Sequence, residues 1–185
     1  LKAGQVDVLT LAPIHLPDEG IEKFAQFALE HNPNIRVTVQ ESWMPFDMFD
    51  PTFKVRPAKV DHNAAKIADL RDIHAKAVKT YDDHIAELNK KFGKRVLFAV
   101  PVGPAVVALR EKIVEGKAPG LKQQTDLFTD AIGHAKPPLM VLNAYCHYAV
   151  IYQRSPVGLP VPDVLKKTNL AEVEKLNLLL QEIAW

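Results

Sequence analysis

Short runs rich in β-branched residues alternate with helical stretches through the first two thirds of the chain, and this alternation constrains the fold most. The runs are 6–12, 35–40 and 95–100. The helical stretches repeat apolar residues every three or four positions and cover residues 19–31, 64–92 and 104–115. Short apolar strands separated by helices are typical of parallel β-α-β units with right-handed crossovers. We therefore expect an α/β fold with a parallel sheet covered by helices on both faces.

Residues that start and stop helices agree with these boundaries. Pro13 closes the first run, and Asp18 is placed to cap the helix that follows. Gly93 and Gly116 are placed to end the second and third helical stretches. Local turn chemistry and hydrophobic periodicity therefore predict the same elements.

The last third of the chain has a different pattern. Residues 137–153 are apolar nearly all round, which predicts a buried helix. That length is marginal for a membrane span, and Asn143 and His147 interrupt it, so no membrane span is expected. A final helix follows, which Asn169 and Glu172 could open as a pair resembling a capping box.

Composition narrows the class of protein. The 185 residues are 48% hydrophobic and 24% charged, which fits one folded domain spanning residues 1–185. Basic and acidic residues number 23 and 22, so nucleic acid is not an expected partner. The single cysteine, Cys146, excludes an intrachain disulfide and any multi-cysteine metal site. The composition indicates neither the cellular compartment nor the oligomeric state.

Functional residues in open α/β sheets lie where the strands end at their carboxyl edge. His15 follows the first strand there, so we predict that it forms a pocket wall or donates a hydrogen bond to a substrate. The second strand leads into a long irregular stretch, residues 41–63, called the aromatic loop below. Its aromatic residues are Trp43, Phe46, Phe49 and Phe53. Because so long a loop is usually functional, we predict that it packs over the carboxyl edge, with Trp43 and Phe46 contacting substrate.

Three side chains with catalytic potential precede the apolar helix: Asp126, Asp130 and His134. A histidine oriented by a carboxylate is the usual base for activating a hydroxyl nucleophile, because the acid fixes the tautomer and stabilises the imidazolium that forms. The alternative is structural. Asp130 could simply cap a turn while His134 makes a local hydrogen bond near the start of a helix.

The segment Asp130-Ala-Ile-Gly-His134 leads directly into the apolar helix, which is followed by Ser155-Pro-Val-Gly-Leu-Pro160. This arrangement resembles the C-terminal Asp-His block of the SGNH-type (GDSL-like) hydrolases. The resemblance implies a flavodoxin-like three-layer fold and serine-dependent hydrolysis of a small-molecule or carbohydrate ester. It also implies that His134 is the base, that Asp130 orients it, and that no cofactor or metal is needed.

The chain departs from that family pattern in three ways. Asp130 and His134 are separated by three residues instead of two, so Asp126 is a reserve candidate for the acid. The family's Gly-Asp-Ser block is absent, and the position of its oxyanion asparagine reads Pro13-Ile14-His15. We therefore expect that the chain begins after a first β-α-β unit, with the N-terminal strand or strands and the nucleophilic serine lying upstream.

The serines within the chain are weaker candidates for the nucleophile. Ser42 lies at the carboxyl edge but lacks a Gly-x-Ser-x-Gly elbow, and Ser155 follows a helix, so both are predicted to be turn residues. His74 and Cys146 are predicted to be core residues, and His62 is predicted to lie on a solvated surface. The alternative function is a non-catalytic binding or structural domain, in which residues 43–53 contact a ligand or partner.

Overall fold

A parallel sheet forms the centre of the molecule in the computed structural model, which describes residues 1–50, 52 and 54–185. Its strands are β1 (Val8–Leu11), β2 (Arg36–Gln40) and β3 (Leu97–Val100), hydrogen bonded in that order. Val8 pairs with Arg36, and Val37 pairs with Leu97. The predicted α/β class and the parallel direction of the strands are confirmed.

Helices connect the strands and complete the chain. They are α1 (Glu19–His31), α2 (Ile67–Lys91), α3 (Val102–Val114), α4 (Pro137–Tyr152), α5 (Asp163–Lys166) and α6 (Val173–Ala184). Two short 3-10 turns are Pro45–Asp47 and Gln124–Leu127. Asp18 caps α1 as predicted, because its carboxylate accepts the Gly20 N–H at 2.8 Å.

Successive side chains of β2 point to opposite faces of the sheet, and each face meets helices. Val37 and Val39 pack with apolar residues of α1 and α2. From the opposite face, Gln40 hydrogen bonds to His147 of α4 at 2.9 Å. A second apolar cluster joins α3, α4 and α6. The sheet is therefore held between helices, with its carboxyl edge left to the loops.

Helix α4 is buried on one side only, although its sequence is apolar all round. Leu139 and Leu142 are fully buried, whereas Met140 and Tyr152 are exposed. The prediction that the whole segment is buried is thus wrong for its outer side, which no other described element covers. Across the described residues, none of the helices combines the length and the apolar character needed to cross a membrane.

The start of α6 also differs from the prediction. Asn169 and Glu172 both have positive φ angles, 55° and 57°, and the Glu172 side chain makes no capping hydrogen bond. The turn is shaped by a close backbone approach instead, since a Cβ on Gly120 would lie 2.5 Å from the Ala171 carbonyl oxygen. The expected capping pair is therefore wrong.

Candidate active site

Asp130 and His134 are in direct contact. The His134 Nδ1 lies 2.5 Å from Asp130 Oδ2, and Asp130 Oδ1 accepts the backbone N–H groups of Ile132, Gly133 and His134 at 3.0–3.1 Å. The spacing of three residues therefore still brings the carboxylate to the imidazole. Asp130 both caps the turn, as the structural alternative predicts, and orients the histidine.

The turn makes Asp130 a persistent anion. The hydrogen bond from His134, together with those from the backbone, lowers the pKa of Asp130 to about 2. Since an ionised carboxylate only accepts hydrogen bonds, the His134 Nδ1 carries the proton. In the neutral imidazole the basic nitrogen is then Nε2, on a side chain that is 71% exposed.

Contacts with the aromatic loop fix the position of this turn. The Trp43 indole N–H donates to the Gly133 carbonyl oxygen at 2.8 Å, and the Phe46 backbone N–H donates to the Ile132 carbonyl oxygen at 3.1 Å. Gly133 has a φ of 100°, which disfavours residues with a side chain, and a Cβ there would lie 3.4 Å from the Trp43 Nε1. The loop after β2 therefore supports the turn that carries His134.

His134 lines an open cleft of about 270 Å³ at the carboxyl ends of β1 and β2, called the His134 cleft below. Its other walls include Ala12 and Pro13 after β1, and Ser42 and Trp43 after β2. The structure therefore places His134, Trp43 and the ends of two strands around one space, as expected for a parallel sheet.

A second space lies beside this cleft and is called the apolar pocket below. It is lined by His15 and by Phe46 and Phe49 of the aromatic loop, and it shares Ile14 and Pro45 with the His134 cleft. Of the three substrate-binding candidates, Trp43 thus lies with His134, while His15 and Phe46 lie in the neighbouring pocket. Phe53 falls outside the described residues.

The reserve acid and the two serines have other partners. Asp126 accepts the backbone N–H groups of Lys122 and Gln123 at 2.7 and 3.0 Å, which closes the Gln124–Leu127 turn. The Ser42 Oγ accepts a hydrogen bond from the Gln40 amide at 2.8 Å. Ser155 accepts the Val157 N–H in a turn, as predicted.

A buried ionic network anchors the aromatic loop and was missed by the sequence analysis. The Arg110 guanidinium of α3 binds both carboxylate oxygens of Asp47 at 2.5 and 2.9 Å, and it donates to Gln124 at 2.7 Å. His62 contacts Asp47 through Nδ1 at 2.9 Å and the Asp130 carbonyl oxygen through Nε2 at 3.0 Å. The prediction that His62 lies on a solvated surface is therefore wrong, because the residue is buried.

The charged side chains of this network can be buried because they are paired with one another. Burial alone would raise the pKa of Asp47, but hydrogen bonds from His62 and Arg110 outweigh burial and lower it. The same pairing with Asp47 outweighs burial at His62 and raises its pKa. One feature of the sequence did indicate this network. Arg110 follows a run of apolar residues in α3, and a guanidinium buried there needs a carboxylate partner.

Other buried titratable groups lie close to this edge. Burial, reinforced by Asp82, raises the pKa of Glu41 to about 7, and the Glu41 Oε1 has no hydrogen-bond partner among the described residues. Burial lowers the pKa of His74 to about 4 and raises that of Cys146 to about 12. His74 and Cys146 are thus core residues, as predicted, and the buried Cys146 thiol is a poor nucleophile near neutral pH.

Comparison with known proteins found no relative: no protein-family model, curated protein or solved structure matches the chain. Within the described part of the chain, no three histidine, cysteine or carboxylate residues come together as a possible metal site.

Proposed function

We propose that the chain belongs to an SGNH-like serine esterase or acyl hydrolase, with His134 as the general base and Asp130 as its orienting acid. The observation that supports this function is the 2.5 Å contact between His134 Nδ1 and Asp130 Oδ2 at the rim of an open cleft. In this proposal the three strands correspond to the last strands of a flavodoxin-like sheet, and the nucleophilic serine precedes Leu1.

The chemistry follows from the tautomer that Asp130 imposes. The His134 Nε2 takes the proton of the serine hydroxyl as the serine oxygen bonds to the ester carbonyl carbon. The imidazolium is stabilised by Asp130, whose lowered pKa keeps it ionised. Nε2 then returns the proton to the leaving alkoxide as the ester C–O bond breaks. Water, deprotonated by the same nitrogen, hydrolyses the acyl-enzyme.

Ser42 is the serine within the chain that could compete for this role, because it shares the cleft with His134. Two observations weigh against it. Its hydroxyl oxygen already accepts a hydrogen bond from Gln40, and its backbone packs closely against Gly103, where a Cβ would lie 2.9 Å from the Ser42 carbonyl oxygen. Such a packed position differs from the exposed turn that presents a nucleophile.

The role of His134 as general base can be tested by measuring the hydrolysis of a p-nitrophenyl ester by the protein expressed from its whole reading frame. His134→Ala should lower kcat by about 10⁴-fold or more, because the base that activates the serine is lost. Asp130→Asn should also lower kcat strongly, since an amide cannot hold the same tautomer. Both side chains are exposed, so the midpoint of urea unfolding should change little for His134→Ala.

The matched control is His31→Ala, because His31 bonds to a backbone carbonyl at the end of α1 and lines neither the cleft nor the apolar pocket. It should retain full activity. If His134→Ala unfolds readily but keeps its specific activity in the folded fraction, His134 is structural and the hydrolase assignment fails.

The competing function is a non-catalytic binding domain. The apolar pocket favours it, since a preformed apolar cavity can hold a ligand without chemistry. A full-length protein that binds ligands but hydrolyses no ester, and whose sequence carries no Gly-Asp-Ser block, would support this function over the hydrolase.

A further inference from the structure

His62, near the end of the aromatic loop, links the start of that loop to the turn that carries His134. The residue is 3% exposed. Its Nδ1 lies 2.9 Å from the Asp47 Oδ2, and its Nε2 lies 3.0 Å from the Asp130 carbonyl oxygen. The imidazole also packs against the ring of Phe128, with the ring centroids 4.4 Å apart. Both ring nitrogens are thus bound by partners from different segments of the chain.

These partners determine the protonation state of His62. A carbonyl oxygen only accepts hydrogen bonds, so Nε2 must carry a proton to bind Asp130. Asp47 binds the Arg110 guanidinium through both carboxylate oxygens, at 2.5 and 2.9 Å, which keeps it ionised, so it also only accepts. A neutral imidazole has one N–H group and one bare nitrogen, and it would turn a lone pair toward one of the two oxygens. The imidazolium form alone donates to both.

The charged groups around His62 are consistent with this form. Burial, together with the positive charge of Arg110, opposes protonation, but the hydrogen bonds to Asp47 and to the Asp130 carbonyl oxygen outweigh them and raise the pKa of His62 above 6.5. On α2, His74 interacts electrostatically with Arg110 and Asp47. Burial lowers the pKa of His74 to about 4, so it is neutral near pH 7 and adds no further positive charge.

The bond from His62 is one of three that attach the turn to the aromatic loop. The Asp130 carbonyl oxygen accepts the Gly133 N–H at 3.2 Å, which closes the turn, and it also accepts the His62 Nε2–H at 3.0 Å. The carbonyl oxygens of Ile132 and Gly133 bind the aromatic loop through neutral N–H donors. A hydrogen bond from a charged donor is roughly twice as strong as a neutral one. His62 therefore supplies the strongest of these three attachments.

The position of Asp130 matters because the same residue also holds His134. Its carbonyl oxygen binds His62, and its carboxylate binds the His134 Nδ1. The Asp130 and His134 side chains are 45% and 71% exposed, so backbone contacts have the larger part in fixing them. A misplacement of about 1 Å at a reacting group can lower a rate about 10²-fold. A bond that fixes the backbone of Asp130 therefore affects the geometry of the pair.

We propose that His62 is a positioning residue, whose buried imidazolium holds the backbone of Asp130 and so places the Asp130–His134 pair at the cleft. The catalytic part of this proposal rests on the proposed hydrolase function. The charge of His62 and its hold on the turn can be measured without any substrate.

Nuclear magnetic resonance of the full-length protein, labelled with ¹⁵N in its histidine rings, tests the charge of His62. A histidine with the ordinary pKa of about 6.5 is only about one quarter protonated at pH 7. At that pH both ring nitrogens of His62 should have the chemical shifts of protonated nitrogens. Through-space contacts with the Phe128 ring assign the signal, so no variant is needed. A bare ring nitrogen in His62 at pH 7 would overturn the proposal.

Two substitutions separate the roles of the ring nitrogens. The amide nitrogen of asparagine can take the place of Nδ1, and that of glutamine can take the place of Nε2. His62→Asn should therefore keep the bond to Asp47 and lose the bond to Asp130, and His62→Gln should do the reverse. The backbone amide signals of Gly133 and His134 should move in His62→Asn and stay close to their original positions in His62→Gln. Equal movement in both variants would contradict the proposal.

Hydrolysis of a p-nitrophenyl ester by the same variants tests the catalytic part. His62→Asn should lower kcat about 10²-fold with little change in KM, whereas His62→Gln should keep kcat within about tenfold of the unmodified protein. Both variants lose the positive charge, so a purely structural role would affect them alike. His74→Asn changes another buried histidine, which lies on α2 and has no hydrogen bond to the turn among the described residues. It is the matched control and should leave the kcat of the folded fraction unchanged.

The outcomes separate this proposal from the hydrolase function. Equal kcat values in His62→Asn and His62→Gln, or an equal loss in His74→Asn, would overturn the positioning role and leave the hydrolase function standing. If the unmodified protein hydrolyses no ester while the amide signals respond as expected, the hydrolase function fails and the hold of His62 on the turn is confirmed.

Discussion

Glu41 gives the stability of the fold a defined dependence on pH. The residue follows β2 and is only 3% exposed. Its backbone is fixed by hydrogen bonds to Val100 and Gly103 at 2.9 and 2.7 Å. Because the carboxylate is buried near Asp82, its pKa rises from 4.5 to about 7. Folding therefore favours the protonated carboxyl group.

The sign and size of the effect follow from this pKa. The folded state holds a proton on Glu41 between pH 4.5 and about 7, where the unfolded state has lost it. The stabilisation by that proton is fully present below pH 4.5 and is lost as pH rises through about 7. The difference corresponds to about 3 kcal/mol. Glu41→Gln removes this titration, so it should stabilise the protein at pH 8 by up to that amount.

Urea unfolding at pH 5 and pH 8 measures this difference. We expect Glu41→Gln to gain far more stability relative to the unmodified protein at pH 8 than at pH 5. Glu174→Gln, which changes an exposed carboxyl group of α6, is the matched control and should show no such difference. Equal effects of Glu41→Gln at both pH values would refute the reasoning that the buried carboxylate is unpaired.

Two substitutions and one labelling experiment test other parts of the structure. Asp47→Ala leaves the Arg110 guanidinium buried without its carboxylate, so it should lower the free energy of urea unfolding by about 3–5 kcal/mol; a loss below about 1 kcal/mol would contradict a buried pair. Gly103→Ala places a Cβ 2.7 Å from His74 Nδ1 and should cost about 1–3 kcal/mol, seen as a lower Tm; an unchanged Tm would contradict this packing. Cys146 should react with a thiol reagent only after unfolding, and rapid reaction of folded protein would contradict its burial.

The fold was largely predictable because its elements carry local patterns. Strand residues such as Val37 and Val39 alternate in the sequence, and α2 repeats its apolar residues at helical spacing, so neither needs distant contacts to be recognised. The outer side of α4 was not predictable, since a helix that is apolar all round gives no indication of which side meets the core. The start of α6 depends on backbone contact with Gly120, which no local pattern encodes.

In the candidate site, too, local contacts could be predicted from the sequence and long-range contacts could not. The contact between Asp130 and His134 lies within one turn, so sequence spacing could indicate it. The network of Asp47, His62 and Arg110 joins residues far apart in the chain, and its existence depends on how the aromatic loop packs against α3. The division of the edge into a cleft and a separate apolar pocket also depends on that packing.

Covalent labelling tests the central claim most directly. The protein expressed from its whole reading frame is treated with a fluorophosphonate, and the modified residue is identified by peptide mass spectrometry. We expect one adduct, on a serine that precedes Leu1, and we expect His134→Ala to abolish its formation. The absence of any adduct, or an adduct that forms at the same rate in His134→Ala, would contradict a serine hydrolase in which His134 is the base.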